Sequence, residues 1–115
     1  MRTDLAAECL QQSEHLPDGV VCHRQPLGTG AVELVEIVSN EAAERIGKPK
    51  GVYVTVELPP FWDESADTAD FAEAAAEGLK QLLPSEGTVL VVGLGNRDIT
   101  PDALGPYTAE QILVT

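Results

Sequence analysis

The run Val89-Leu90-Val91-Val92-Gly93-Leu94-Gly95-Asn96-Arg97-Asp98-Ile99-Thr100-Pro101-Asp102-Ala103-Leu104-Gly105-Pro106 sets the expected architecture of the chain. Its four leading aliphatics predict a strand buried on both faces. Gly93 and Gly95 then let the backbone turn sharply and leave room for a close approach. Thr100-Pro101-Asp102 is turn chemistry: proline fixes its own φ, and the Thr and Asp oxygens can bond nearby N–H groups. A buried strand, a glycine turn and a carboxylate ahead of a helix place Asp102 at the carboxyl edge of a sheet, where open α/β folds keep their sites.

Working back from that run, Pro84-Ser85-Glu86-Gly87 reads as the turn that feeds the strand. A long helix is expected before it, from Ser65 to Leu83, with Phe71, Ala74, Ala75, Gly78, Leu79 and Leu82 along one stripe. Seven acids and no Lys or Arg lie from Glu57 to Glu77, mostly off that stripe, as a solvated face. Gly51 to Leu58 alternates as a half-buried strand that Pro59-Pro60 ends. Ala31 to Ser39 is β-rich, and Asn40 is expected to cap a short helix, Glu41 to Ile46, closed by Gly47. Gln25 to Gly30 reads as an exposed loop within a weakly patterned stretch from Val20. Leu5 to His15 has helical composition, with Thr3 or Asp4 as its cap. Ala109 to Val114 predicts a last helix. The order helix, two strands, helix, strand, helix predicts an α/β sandwich whose first two strands form an antiparallel edge.

With 115 residues, the length suits one domain with a real core. Nineteen acids against seven bases give a net charge of −12, which argues against direct binding to nucleic acid or an anionic membrane. Cys9 and Cys22 are too few for a disulfide scaffold, and no cysteine or histidine ligand set has metal spacing. No apolar run approaches membrane-spanning length, so a soluble protein of a reducing, cytoplasmic compartment is expected.

The residues alone leave four readings of Gly93 to Pro106 open. A dinucleotide turn lacks its third glycine, and Asp98 and Asp102 would repel phosphate. Asn96, Asp98 and Asp102 are oxygen ligands for a hard cation, but their spacing matches no standard loop. Asp102, mounted between Pro101 and Pro106 beside Ala103-Leu104, suits an acid–base carboxylate whose proton affinity burial raises. The bland alternative is a helix cap.

The pattern Gly93-Leu94-Gly95-Asn96-x-x-x-Thr100-Pro101-Asp102-Ala103-Leu104-Gly105-Pro106, followed by Leu113-Val114-Thr115, resembles the signature of the germination protease of bacterial spores. Arg2-Thr3-Asp4-Leu5-Ala6-x-Glu8 is similar to the family's processing region. Ile46-Gly47-Lys48-x-x-Gly51-x-Tyr53-Val54-Thr55-x-Glu57 is similar to its first strand pair. The resemblance implies a three-layer α/β sandwich of the phosphorylase/hydrolase-like type, shared with hydrogenase-maturation endopeptidases. It implies an aspartic-type endopeptidase without cofactor or metal, made as a zymogen, that degrades small acid-soluble spore proteins in the spore core and assembles as a tetramer. Asp102 takes the place of a catalytic aspartate, with Gly93, Gly95, Asn96 and Thr100 shaping the substrate cleft. Asp4–Leu5 takes the place of a self-processing bond, which makes residues 1–4 a propeptide. By the same resemblance, residues 1–115 are the amino-terminal part of a single peptidase domain. The second catalytic carboxylate then lies outside them, and the chain alone is expected to be inactive. Two alternatives stay open: a maturation-type endopeptidase that uses a metal, and a binding module docking through Asp63, Glu64, Asp67 and Asp70.

Overall fold

The computed structural model describes residues 6, 15–60, 62–64 and 67–114. They fall into two compact units, Met1–Leu83 and Pro84–Thr115. The expected helix from Leu5 to His15 lies outside the described residues, except that Ala6 is helical and His15 sits in a bend.

In the first unit the order is β1 (Val20–Leu27), β2 (Gly30–Ile37), α1 (Asn40–Ile46), β3 (Gly51–Glu57) and α2 (Thr68–Lys80). The three strands form one antiparallel sheet in the order β1-β2-β3, with Cys22 opposite Val35 and Val35 opposite Tyr53. The expected antiparallel pair is therefore present as β2 and β3. The segment from Val20 to Leu27 is a strand, however, and not a loop at Gln25 to Gly30. Its polar residues hid it from a search for apolar alternation. Pairing with β2 satisfies those of its backbone groups that face that strand, and Pro26 is tolerated because β1 lies at the sheet edge.

Alternation puts Val20, Cys22, Arg24, Glu33, Val35, Ile37, Tyr53 and Glu57 on one face of this sheet. The apolar half of that face is covered: Val35, Ile37, Ala6 and Ala42 form a buried cluster, with Val20, Cys22, Ala43, Ile46 and Tyr53 packed around it. α1 supplies Ala42, Ala43 and Ile46, and its ends follow from local chemistry. Ser39 Oγ accepts from Ala42 N–H at 3.1 Å, so the cap falls one residue before the expected Asn40. Gly47, at φ +74°, ends the helix as expected, its N–H donating to Ala43 O at 2.9 Å.

The polar half of the same face is held by charge. Arg24 places its two terminal nitrogens on Glu57 at 2.7 and 2.6 Å and reaches the buried Glu33 at 3.5 Å, so one side chain ties β1 to both other strands of the sheet. The Arg24 hydrogen bond holds the Glu57 carboxyl below its ordinary range, against a smaller opposing effect of burial. Because the folded state then binds protons less readily than the unfolded state, this contribution is present above the usual glutamate range. It is lost as pH falls through the depressed folded value. Both partners are substantially exposed, so the effect is modest and salt-sensitive. Glu57→Gln is expected to flatten the acid limb of a melting-temperature-against-pH profile; an unchanged limb would exclude this pair as its source.

α2 covers the opposite face. Asp67 caps it through Ala69 N–H at 2.9 Å, and its buried stripe runs through Ala74 and Gly78, with Phe71 half-buried. Ala75, Leu79 and Leu82, expected on that stripe, are exposed. The shift has a steric cause: small residues let the helix lie close to the sheet. A Cβ at Gly78 would stand 3.0 Å from Val56 Cγ2 and 3.1 Å from Val54 Cγ1. Gly78→Val is therefore expected to cost about 1–3 kcal/mol through overpacking, read from the midpoint of denaturant unfolding. Helices on both sides of the sheet make this unit α/β, as expected.

In the second unit, a 3₁₀ turn (Thr100–Asp102) leads into α3 (Leu104–Gln111). This helix begins earlier and ends earlier than the expected Ala109 to Val114. The largest correction concerns Val89 to Val92, which form no strand; Leu90 is 85% and Val92 65% exposed. A buried strand needs hydrogen-bonding neighbours and covered faces. No described residue pairs with this segment. Among the described residues no helix is long and apolar enough to cross a membrane.

Candidate active-site loop

The glycines after Val92 serve a close crossing of two chain segments. A Cβ on Gly93 would collide with the Gly105 carbonyl, and one on Gly105 would collide with the Leu94 carbonyl. Gly95 has φ +144°, and a Cβ there would run into the Asp102 carbonyl. The crossing brings Asn96 against Asp102: the Asn96 N–H donates both to Asp102 Oδ2 at 2.8 Å and to Asp102 O at 3.1 Å. Asn96 Oδ1 in turn accepts from Asp98 N–H at 2.9 Å, closing an Asx turn. The Asp102 N–H donates to Ile99 O at 2.9 Å, with Pro101 inside the 3₁₀ turn. Asp102 is thus fixed at both its backbone and its carboxylate.

This geometry gathers five of the expected residues, Gly93, Gly95, Asn96, Thr100 and Asp102, into one loop. It also corrects one expectation. Asp102 is exposed and its neighbour Leu104 is 76% exposed, so the apolar surround expected for the carboxylate is not formed in this chain. The Asn96 N–H, a backbone donor that follows Gly95, is held by Asp102. The Asn96 side chain braces the loop through this Asx turn. Asp4 and Leu5 lie outside the described residues.

Gly95→Ala would force a left-handed φ on alanine and drive its Cβ into Asp102 O. A cost of about 1–3 kcal/mol or more is expected, with loss of hydrogen-exchange protection at Asn96 N–H. Retained protection at that amide would contradict the close crossing.

Three residues that the motif pattern passed over, Arg97 in this loop and Tyr107 and Glu110 on α3, interact beside it. Arg97 lies over the Tyr107 ring, 5.8 Å from its centroid, and pairs with Glu110. The available signal was compositional: Arg97 is the lone Lys or Arg after Lys80.

Elsewhere, adjacent strand residues point to opposite faces, so Cys22 and His23 do not form a thiol–imidazole pair. The Cys22 thiol donates to Glu33 Oε1 at 3.3 Å. Burial and then the Glu33 carboxylate push that thiol up, and Arg24 pulls it partly back. It is a structural thiol and not an activated one. Among the described residues no group of three His, Cys, Asp or Glu side chains is placed to hold a metal ion.

The chain is thus of the α/β class, with a proline-mounted aspartate on a glycine crossing. A family model described as germination protease matches residues 2–115. A germination protease of Clostridium perfringens is 38% identical over 123 residues, covering 100% of this chain and 38% of that protein. Those of Bacillus velezensis and Priestia megaterium are 37% and 35% identical, again over the whole chain and over 34% and 35% of their own lengths. The chain belongs to the germination protease family, and it spans little more than a third of the length of these relatives. No solved structure matches it.

Proposed function

We propose that this chain carries the first catalytic carboxylate of an aspartic-type endopeptidase that opens the degradation of small acid-soluble spore proteins during germination. The observation that carries the reading is the hold on Asp102. One carboxylate oxygen accepts the Asn96 N–H at 2.8 Å, while the residue stays exposed on a turn fixed by Pro101. A carboxylate oriented by a backbone donor and open to solvent is placed to move a proton at a peptide bond or its attacking water.

The proposal extends to the family's finer features: the phosphorylase/hydrolase-like sandwich, a zymogen cut at Asp4–Leu5, a homo-oligomer, and action in the spore core. In a two-carboxylate mechanism one group activates water while the other protonates the leaving amine, their proton affinities held apart by their surroundings. A single aspartate supplies half of that chemistry. The second carboxylate is proposed to come from outside residues 1–115, and the chain alone is expected to be inactive.

The experiment mixes this chain with the carboxyl-terminal portion of the Clostridium perfringens relative and follows intact mass with time. Loss of the first four residues, blocked by Asp102→Asn, is expected. A folded complex whose mass never changes, and which leaves small acid-soluble proteins intact, would overturn the proposal.

A further inference from the structure

We infer that Asn96 is a positioning residue for Asp102. Its side chain sets the turn whose N–H ties Oδ2 of that carboxylate, and the oxygen left over, Oδ1, is the one that exchanges the proton. The inference rests on the endopeptidase reading of this loop. It adds the residue that aims the carboxylate and the oxygen that reacts.

Asn96 stands where the hydrogen bonds of the loop meet. Its N–H donates to Asp102 Oδ2 at 2.8 Å and to Asp102 O at 3.1 Å. Its carbonyl accepts the Ile99 N–H at 3.2 Å, and the Ile99 carbonyl accepts the Asp102 N–H at 2.9 Å. Asn96, Asp102 and Ile99 thus close a ring of hydrogen bonds. The Asn96 side chain locks one corner of it, since its Oδ1 accepts the Asp98 N–H at 2.9 Å. This Asx turn and the turn from Asn96 to Ile99 start at the same residue, so the side chain fixes how residue 96 sits against the loop and where its N–H points. The preceding residue cannot supply that order: Gly95, at φ +144°, is the most permissive of residues.

The consequence falls on the carboxylate. A carboxylate turns about a broad, two-fold torsion, so an untethered aspartate presents either oxygen over a range of angles. Here Oδ2 is held, while Oδ1 accepts no hydrogen bond among the described residues and belongs to an exposed residue. Proton transfer needs the reacting oxygen within hydrogen-bond reach of its partner, and a misplacement of about 1 Å can cost about 10²-fold. Holding one oxygen fixes the other in place.

The first test uses the 115-residue chain and NMR. The Asn96 amide proton is expected to follow the ionisation of the Asp102 carboxyl carbon, both signals moving with one midpoint. Asn96→Ala keeps the amide and loses the Asx turn, so its residue-96 amide should no longer follow Asp102 and should lose hydrogen-exchange protection. Asn96→Ser, whose hydroxyl closes the same turn more weakly, should lie between. In the mixed assembly, Asn96→Ala should lower kcat by about 10–10²-fold with KM within about twofold of the wild type. It should add nothing to the loss in Asp102→Asn, since both act through one carboxylate. A brace with no part in proton transfer would lower the melting temperature or raise KM and leave kcat alone. The inference is overturned by an Asn96→Ala amide that still follows Asp102, by an unchanged kcat, or by an equal further loss in the Asp102→Asn background. Should Asn96→Ala fail to fold, Asn96→Ser decides on the same readouts. Asp102→Asn cutting at the wild-type rate would sink the endopeptidase reading and this inference with it. Loss of cutting in Asp102→Asn beside full kcat in Asn96→Ala would sink this inference alone.

Discussion

Asp102→Asn is expected, on the proposed function, to lower the rate at which the assembled protease cuts small acid-soluble proteins by about 10²–10⁴-fold, the usual worth of a positioned acid or base. The substitution separates chemistry from architecture. Asp102 has a structural duty, since its Oδ2 accepts the Asn96 N–H that ties the two sides of the loop together. An asparagine keeps a carbonyl oxygen of similar reach, so that bond survives, and the crossing at Gly93, Gly95 and Gly105 is untouched. The amide can neither take nor give the proton. Loss of activity with unchanged melting and unchanged protection of Asn96 N–H would assign the effect to the carboxylate. Asp102→Ala is the contrasting variant, expected to lose activity and loop order together. If Asp102→Asn cuts within about tenfold of the wild type, Asp102 is not the acid or base.

The parts of the fold legible in the sequence are those specified by neighbouring residues. Gly47 ends α1 because a left-handed position follows the last turn, and Gly51 to Glu57 is a strand as its β-branched residues predict, though its burial does not alternate. Ser39 and Asn40 are equally good caps by composition, and only the fold chose between them. β1 was not legible, because what makes it a strand is its pairing with β2 and the reach of Arg24 to Glu57 across the sheet. The stripe of α2 was misplaced because hydrophobicity points to Leu79 and Leu82, whereas the close approach to Val54 and Val56 selects Ala74 and Gly78. In the loop, the glycines and Pro101 announced a tight turn that would present Asp102, and the turn is there. The burial expected for Asp102 did not follow, because Ala103-Leu104 beside a carboxylate says nothing about what covers them. Val89 to Val92 show the same limit. Four aliphatics specify a preference for burial, and a preference becomes a strand only where another strand supplies the hydrogen bonds.

That distinction between preference and environment gives the largest expected effect on stability. Ile37→Ala should destabilise the first unit by about 2–5 kcal/mol, whereas Leu90→Ala removes a similar side chain and should cost almost nothing in this chain. Ile37 is 1% exposed, at the end of the central strand, packed with Val35, Ala6 and Ala42. Two of those three neighbours are alanines, with no side-chain torsion through which to fill a void, so any closing of the cavity falls to Val35 and the surrounding Val20, Ile46 and Tyr53. Collapse would need movement of α1, which supplies Ala42 to the cluster. Both considerations push the cost toward the upper part of the range, since it grows with the residual cavity. Leu90 is 85% exposed, so truncating it removes little area that folding had withdrawn from water. Denaturant unfolding of the two variants, with equal slopes and widely separated midpoints, is the expected result. Equal midpoints would mean either that Ile37 is not enclosed as described or that Leu90 is buried in solution. Repeating Leu90→Ala in the mixed assembly then decides whether Val89 to Val92 gain a covering partner: its cost should rise from almost nothing toward that of Ile37→Ala.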